Sequence, residues 1–433
     1  MINRFAAMKV AIATLVLIKC ILAALTPFSA DFINWVLIGR SFQTGTTFPG
    51  IYTGPGFIFA AVYDVWLAAT HNSQVAYQLY QAYWTGPNIV KLSPTIFAFT
   101  FVMKTPLLLA DALTVYIIFQ IVKRRETSEE RGLTAGLLWA SSPLVLLLEM
   151  FNTVEIYPAL LIMLGSYAIY LSKIKTGSAF LALGSALRLA PLLISWVYVV
   201  ALARSREYRT LVEFLAVQFA FFGFGATYVV LRYGSHAFFQ LFTERPGIVI
   251  PEGLTFIGPF LGSSLSLNPY GLGLGATFAI LMAYIISQPT KWPNRPLGAE
   301  VVAMFGVFFA LVWFYIDFFL WVIPMLVIFA LVANFGSRRF LLVTGLGLLF
   351  ALVQFPQYEN AYGKAVLFIP NLNGTMLYVS SILTAIIWHP VIVALARSLL
   401  SASLVLTVFW AIKDSIRPNP HGSTAADVLS KRK

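Results

Sequence analysis

Residues 95–125 read TIFAFTFVMKTPLLLADALTVYIIFQIVKRR. The apolar run ends at Val122 and exceeds the roughly 20 residues that a helix needs to cross a hydrocarbon core about 30 Å thick. It is followed by Lys123, Arg124 and Arg125, the mark of a cytoplasmic exit under the positive-inside rule. Two ionisable residues stand inside it, Lys104 and Asp111, seven positions apart and therefore on one helix face. An intramembrane charge costs about 2.5 to 3.5 kcal/mol on insertion scales, so both are expected to face the bundle interior or a wet cavity. For Asp111 the plainer reading is an interior salt bridge that fixes helix packing; Lys104 is open between packing and binding.

The composition agrees with a membrane chain. Of 433 residues, 59% are hydrophobic and 11% charged, with mean hydropathy +0.82, whereas a soluble domain carries about 25% charged residues. The net charge of +12 comes from cations beside apolar runs, such as Arg204, Arg206 and Arg209, so it reports orientation rather than nucleic-acid binding. A single cysteine, Cys20, excludes an intramolecular disulfide, and four scattered histidines give no ligand motif; no metal is expected.

Upstream, residues 7–26 form a first span, read as an uncleaved anchor, with Arg4 and Lys9 holding the amino terminus in the cytoplasm and Lys19 interrupting the apolar run. Asp31 then falls just outside, where a carboxylate stays hydrated. It is the candidate catalytic base, against the alternative of a solvated helix-end residue. Residues 27–94 are expected to remain outside as a loop with interfacial helices, because the apolar piece Phe57 to Ala69, about 20 Å of helix, is too short to span.

Downstream, a span at 133–148 leads to an outer turn that holds Glu149, Asn152 and Glu155, and 156–171 re-enters. Asn152 and Glu155 are candidate binding residues, with a solvated turn as the alternative. Residues 178–203 have cations on both flanks, so Arg188 and Pro191 are expected to break them into a re-entrant hairpin. Arg188 would then offer a fixed cation to a lipid-linked phosphate, or pair with Asp111 or another buried acid.

A span at 211–231 leads to an external loop, 233–268, with Glu244 and Arg245. Further apolar runs lie at 271–287, 298–316, 318–334, 340–354, 375–390 and 392–412, with Asp317 and Glu359 at outer turns. The sum is an all-α polytopic membrane protein of roughly eleven or twelve apolar segments. Residues 1–413 form one transmembrane domain and 414–433 a polar, basic tail. Gly271, Gly273 and Ala276 match a dinucleotide pattern but open an apolar run; small-residue packing, as at Gly132 and Gly136, explains such spacing better. Asn373, Gly374 and Thr375 match a glycosylation sequon.

The ordered set resembles the GT-C superfamily of integral-membrane glycosyltransferases. Lys104 to Asp111 resembles their Lys-x-Pro-x-x-x-x-Asp pattern, and Asn152 to Glu155 their polar turn, with Glu where many relatives have Asp. Leu187 to Pro191 resembles a Lys-x-x-Pro segment with Arg in place of Lys, and Phe318 to Pro324 an aromatic-Leu-Trp-x-x-Pro segment. Within the superfamily, the mannosyltransferase of GPI-anchor assembly is the nearest resemblance, although its early Asp-x-Asp is not kept: Asp31 is followed by Phe32 and Ile33.

The resemblance implies inverting transfer of a hexose, with mannose the expected sugar, from a polyprenyl-phosphate donor to a lipid-linked or glycan acceptor at the extracytoplasmic or ER-lumenal face. Asp31 would be the base, with Lys104, Arg188 or Arg245 stabilising the departing phosphate and Glu155, Asn152, Glu244, Asp317 and Glu359 lining the site. Neither a cofactor nor a metal is implied. The main alternative is a transporter or flippase of polyprenyl-linked glycans.

Overall fold

The computed structural model describes residues 4–25, 30–44, 53–85, 94–150, 154–188, 190–243, 297–311, 316–333, 335–359 and 390–416. Their ordered elements are helices throughout, with no strand among the described residues. The first half of the chain forms α1 (Arg4–Leu25), α2 (Ala30–Thr44), α3 (Thr53–Thr70), α4 (Gln74–Thr85), α5 (Pro94–Glu126), α6 (Glu129–Ala140) and α7 (Pro143–Met150). Next come α8 (Ile156–Tyr170), α9 (Ile174–Leu187), α10 (Ala190–Arg204) and α11 (Tyr208–Thr243). The described remainder forms α12 (Ala299–Leu311), a 3₁₀ turn at Ile316–Trp321, α13 (Ile323–Val332), α14 (Ser337–Glu359) and α15 (Pro390–Ile416).

Three stretches are helical, long and apolar enough to cross a membrane: Arg4–Leu25, Pro94–Glu126 and Leu395–Lys413. Shorter apolar helices accompany them, among them Ile156–Tyr170 and Ile323–Val332. Leu109 and Tyr116 on α5, Phe219 and Phe224 on α11, and Leu406 and Phe409 on α15 are exposed. A soluble protein does not carry that much outward apolar surface. The chain is a membrane-embedded helical protein.

At the centre lies α13, whose residues Ile323 to Ala330 are all buried. A helix apolar on every side needs apolar surroundings, protein or lipid; here they are protein, with α5, α6, α8, α12 and α14 packed around it. Close approach at the edge uses small residues as expected: a Cβ on Gly132 would stand 2.9 Å from the Phe119 carbonyl oxygen of α5, and one on Gly136 would lie 3.4 Å from Ile12 of α1. Lys9 and Arg4 of α1 reach Glu129 and Glu130 at the start of α6, each at 2.9 Å. The hydrogen bond from Lys9, then the charges of Lys9 and Lys123, hold the Glu129 carboxyl below its usual range.

Several expected segments take a different form. The span at 133–148 is two helices, because Ser142 precedes Pro143 and residues before proline disfavour helix. The helices expected within residues 27–94 are present as α2, α3 and α4, and they pack into the core: Trp35 of α2 stacks on Phe59 of α3 at 5.6 Å, and Trp66 of α3 meets Phe99 of α5 edge-on at 5.1 Å. Helix α11 runs through Thr243, so residues 233–243 are helical rather than loop. Asp317 is the second residue of the 3₁₀ turn, ahead of α13. The runs at 271–287 and 375–390 and the sequon at Asn373 lie outside the described residues.

Candidate functional site

Pro191 has no N–H to give the Leu187 carbonyl, which disfavours continuing the helix of α9 through it, although α5 tolerates Pro106 in its interior. The chain extends at Arg188, with φ −154 and ψ 148, and helix resumes at Ala190 with the proline in its first turn. The break therefore falls where the sequence puts it. The Arg188 side chain is 11% exposed, and its Nη2 lies 2.6 Å from Oε1 of Glu155.

Glu155 is the residue from which α8 starts, and it makes no capping hydrogen bond to that helix. Its carboxylate turns inward and is fully buried. Oε1 faces Arg188, and Oε2 accepts a 2.6 Å hydrogen bond from Nε1 of Trp321 at the end of the 3₁₀ turn. Phe318 stacks on that indole, with ring centroids 4.7 Å apart. A buried carboxylate is costly unless charge and hydrogen bonds compensate it, and here both oxygens are engaged. Burial of Glu155 removes the solvated-turn alternative and leaves it a buried anchor, and the partner of Arg188 is Glu155 rather than Asp111.

Asp111 belongs to a second set. Lys19 of α1 places Nζ 3.0 Å from each Asp111 oxygen, and Trp139 of α6 donates Nε1–H to Oδ1 at 2.6 Å. The interior salt bridge expected for Asp111 is present, with the first-span lysine as its cation. Lys104, one face with Asp111 and equally buried, lies elsewhere: its Nζ is 5.2 Å from the ring of Phe32, the residue after Asp31 on α2.

Asp31 is the second residue of α2 and Glu359 the last of α14; their side chains, like that of Asp317, lie outside the described residues. Asn152, Glu244 and Arg245 also lie outside them. The structure therefore brings together Glu155 and Arg188 of the expected set, and sets Lys104 beside the helix that carries Asp31. No group of three or more His, Cys, Asp or Glu able to hold a metal occurs among the described residues.

Four participants were not singled out from sequence as site or network residues: Trp139, Trp321, Lys19 and Arg397. Trp321 stood only as part of a motif, and Lys19 only as an interruption. A lone cation in the middle of a first span has to find an anion, which was the available signal. Arg397 on α15 is buried, donates from Nη2 to the Phe309 carbonyl and lies 5.5 Å from the ring of Phe350. Its signal was of the same kind, a single arginine inside an apolar run.

Compared with protein-family models, with curated proteins and with solved structures, the chain matches none.

Proposed function

We propose that this chain is an integral-membrane glycosyltransferase that moves a hexose, mannose by expectation, from a polyprenyl-phosphate donor to a lipid-linked or glycan acceptor. One observation carries the reading. Three stretches singled out by the resemblance, Asn152 to Glu155, Leu187 to Pro191 and Phe318 to Pro324, each contribute a residue to one contact set: Glu155, Arg188 and Trp321. Separate packing needs give no reason for those three to meet at a chain break.

In this reading the chain crosses the membrane in roughly eleven or twelve apolar segments, with α9 and α10 as a re-entrant hairpin and the site on the extracytoplasmic or lumenal side. The acceptor oxygen attacks the anomeric carbon as its proton passes to Asp31. The bond from that carbon to the phosphate oxygen breaks, and its electron pair leaves with the polyprenyl phosphate, inverting the anomeric centre. Arg188, held by Glu155, meets the phosphate charge with planar paired donors, and Lys104 adds a second cation beside α2. General-base help from Asp31 is worth about 10² to 10⁴ in rate. The mechanism calls for neither a nucleotide nor a metal, since the leaving group is already a phosphate.

A second reading, a transporter or flippase of polyprenyl-linked glycans, draws on the Lys19–Asp111 pair, because interior charges also suit a translocation path. The test uses purified protein, labelled polyprenyl-phosphate mannose or glucose, and a membrane lipid extract as acceptor. Wild type is expected to transfer sugar, and a folded Asp31→Asn variant to lose the activity. Transfer from neither donor, with movement of an intact lipid-linked glycan across liposomes, would replace the enzyme with the transporter. Equal transfer by both proteins would remove Asp31 from the mechanism.

A further inference from the structure

Three chain reversals carry the cations of the cytoplasmic side: α5 to α6, α8 to α9, and α10 to α11. Contacts tie them into one corner. The guanidinium of Arg125, at the end of α5, lies 5.2 Å from the ring of Tyr170 at the end of α8. Lys175 of α9 lies 3.5 Å from Glu213 of α11, and Ser178 donates to the Phe214 carbonyl at 2.8 Å.

Two of these turns have the same backbone. After α8, Lys173 N–H bonds the Ala168 carbonyl at 2.9 Å and Ser172 N–H the Ile169 carbonyl at 2.8 Å. After α10, Glu207 N–H bonds the Leu202 carbonyl and Arg206 N–H the Ala203 carbonyl, both at 3.1 Å. Both are Schellman turns, whose left-handed position is normally glycine, yet here it is Ser172 (φ +61) and Arg206 (φ +58). A non-glycine residue held there invites a functional account. The turns fix the backbone at Lys173 and Arg206.

The nearby acids are mostly spent. Glu126 is paired with Arg131, and Glu213 is shared by Lys175 and Arg209. Arg124, Lys173 and Arg206 are exposed and make no ion pair with the described residues. Directly beside them stand exposed apolar groups, Leu171 at the first turn and Tyr208 at the second. From Tyr208 an exposed stripe continues through Val212 to Phe219, offsets of four and eleven residues that keep one face of α11.

We propose that this corner is a binding site for anionic phospholipid, with the headgroup phosphate on Arg124, Lys173 and Arg206 and an acyl chain along Tyr208, Val212 and Phe219. Cations alone would suit any anion. Cations that open onto a continuous apolar stripe suit a molecule with a charged head and a hydrocarbon tail. The proposal rests on the membrane-embedded fold alone and is independent of the glycosyltransferase reading.

The test titrates the full-length protein in neutral detergent with short-chain phosphatidylglycerol, short-chain phosphatidylcholine or inorganic phosphate, and reads bound lipid by native mass spectrometry. Phosphatidylglycerol is expected to bind preferentially. Each cation removed should weaken it roughly fivefold, so Arg124→Gln, Lys173→Gln and Arg206→Gln together should cost on the order of a hundredfold. Equal binding of the two lipids, full retention by the triple variant, or inorganic phosphate bound as tightly as phosphatidylglycerol would each overturn the site. Should the triple variant not fold, the wild type decides: phosphatidylglycerol binding must fall with added salt while phosphatidylcholine binding does not, and salt-insensitive binding overturns the proposal.

Discussion

Lys19–Asp111–Trp139 and Arg188–Glu155–Trp321 are built from the same three parts, a cation, a carboxylate and an indole N–H at 2.6 Å, on different kinds of backbone. The first joins the interiors of α1, α5 and α6, with both charged side chains 3% exposed or less. The second joins a helix break, a helix start and a 3₁₀ turn, with Arg188 at 11% exposure over a fully buried Glu155. Regular helices lock their side chains on every side, which suits a fastening. Chain breaks bring backbone and cation to an edge that a ligand can reach, where a fixed charge serves binding. Under the proposed function, the same kind of contact set would serve structure in regular helices and binding at a chain break.

Matched substitutions test that division, and the largest effect is expected at the fastening. Asp111→Leu leaves Lys19 buried without its anion, which costs about 3 to 5 kcal/mol and should lower the melting temperature in detergent sharply. Lys19→Met added to it removes both charges and should restore most of the stability, since apolar replacement of a buried pair is often neutral. Sugar transfer by that double variant should remain near wild type. A stable double variant without activity would break the comparison by giving the first set a catalytic or transport role.

At the break the loss should appear in rate. Arg188→Gln keeps a hydrogen-bonding group for Glu155 but removes the cation that the proposed reaction would set against the departing phosphate, so transfer should fall about 10² to 10³-fold, as when one preorganised donor is lost. Arg188→Lys should recover part of this, because it restores the charge without the planar fork. If Arg188→Gln only destabilises and the folded fraction transfers sugar normally, the second set is a fastening as well.

What the sequence could tell in advance follows from the range of each interaction. The break before Pro191, the Gly132–Gly136 contact and the long apolar helices α1 and α5 rest on neighbours a few residues apart and are legible, whereas the split before Pro143 and the continuation of α11 through Thr243 depart from the sequence reading. The partner of Asp111 lies 92 residues away and that of Glu155 166 residues away. Those pairings are decided by which elements pack together, α1 on α5 and the 3₁₀ turn on α8, a choice that no local pattern encodes. The same cause explains Glu155, whose neighbours read as a hydrated turn until Trp321 closes over it. Between residues 30 and 70 the period is blurred because Trp35, Tyr63 and Trp66 are aromatic residues that fit an interface as well as a core, and packing alone shows that they form a core.

The two tryptophans give the finest comparison. Each donates to a buried carboxylate, a bond worth about 1.5 to 3 kcal/mol when its partner is charged. Phenylalanine at either position keeps most of the ring and removes the donor. Trp139→Phe should lower the melting temperature and leave transfer intact, since Lys19 still holds both Asp111 oxygens in regular helices. Trp321→Phe removes the bond that holds the second Glu155 oxygen, and with it the orientation of Arg188. It should slow transfer about ten- to a hundredfold at saturating donor, with a smaller change in melting temperature. Trp321 would then be a positioning residue, acting on the donor phosphate through Glu155 and Arg188. Should both variants show the same loss of stability and no loss of rate, backbone regularity would not be what separates the two sets, and Arg188 would hold α10 against α8 much as Lys19 holds α1 against α5.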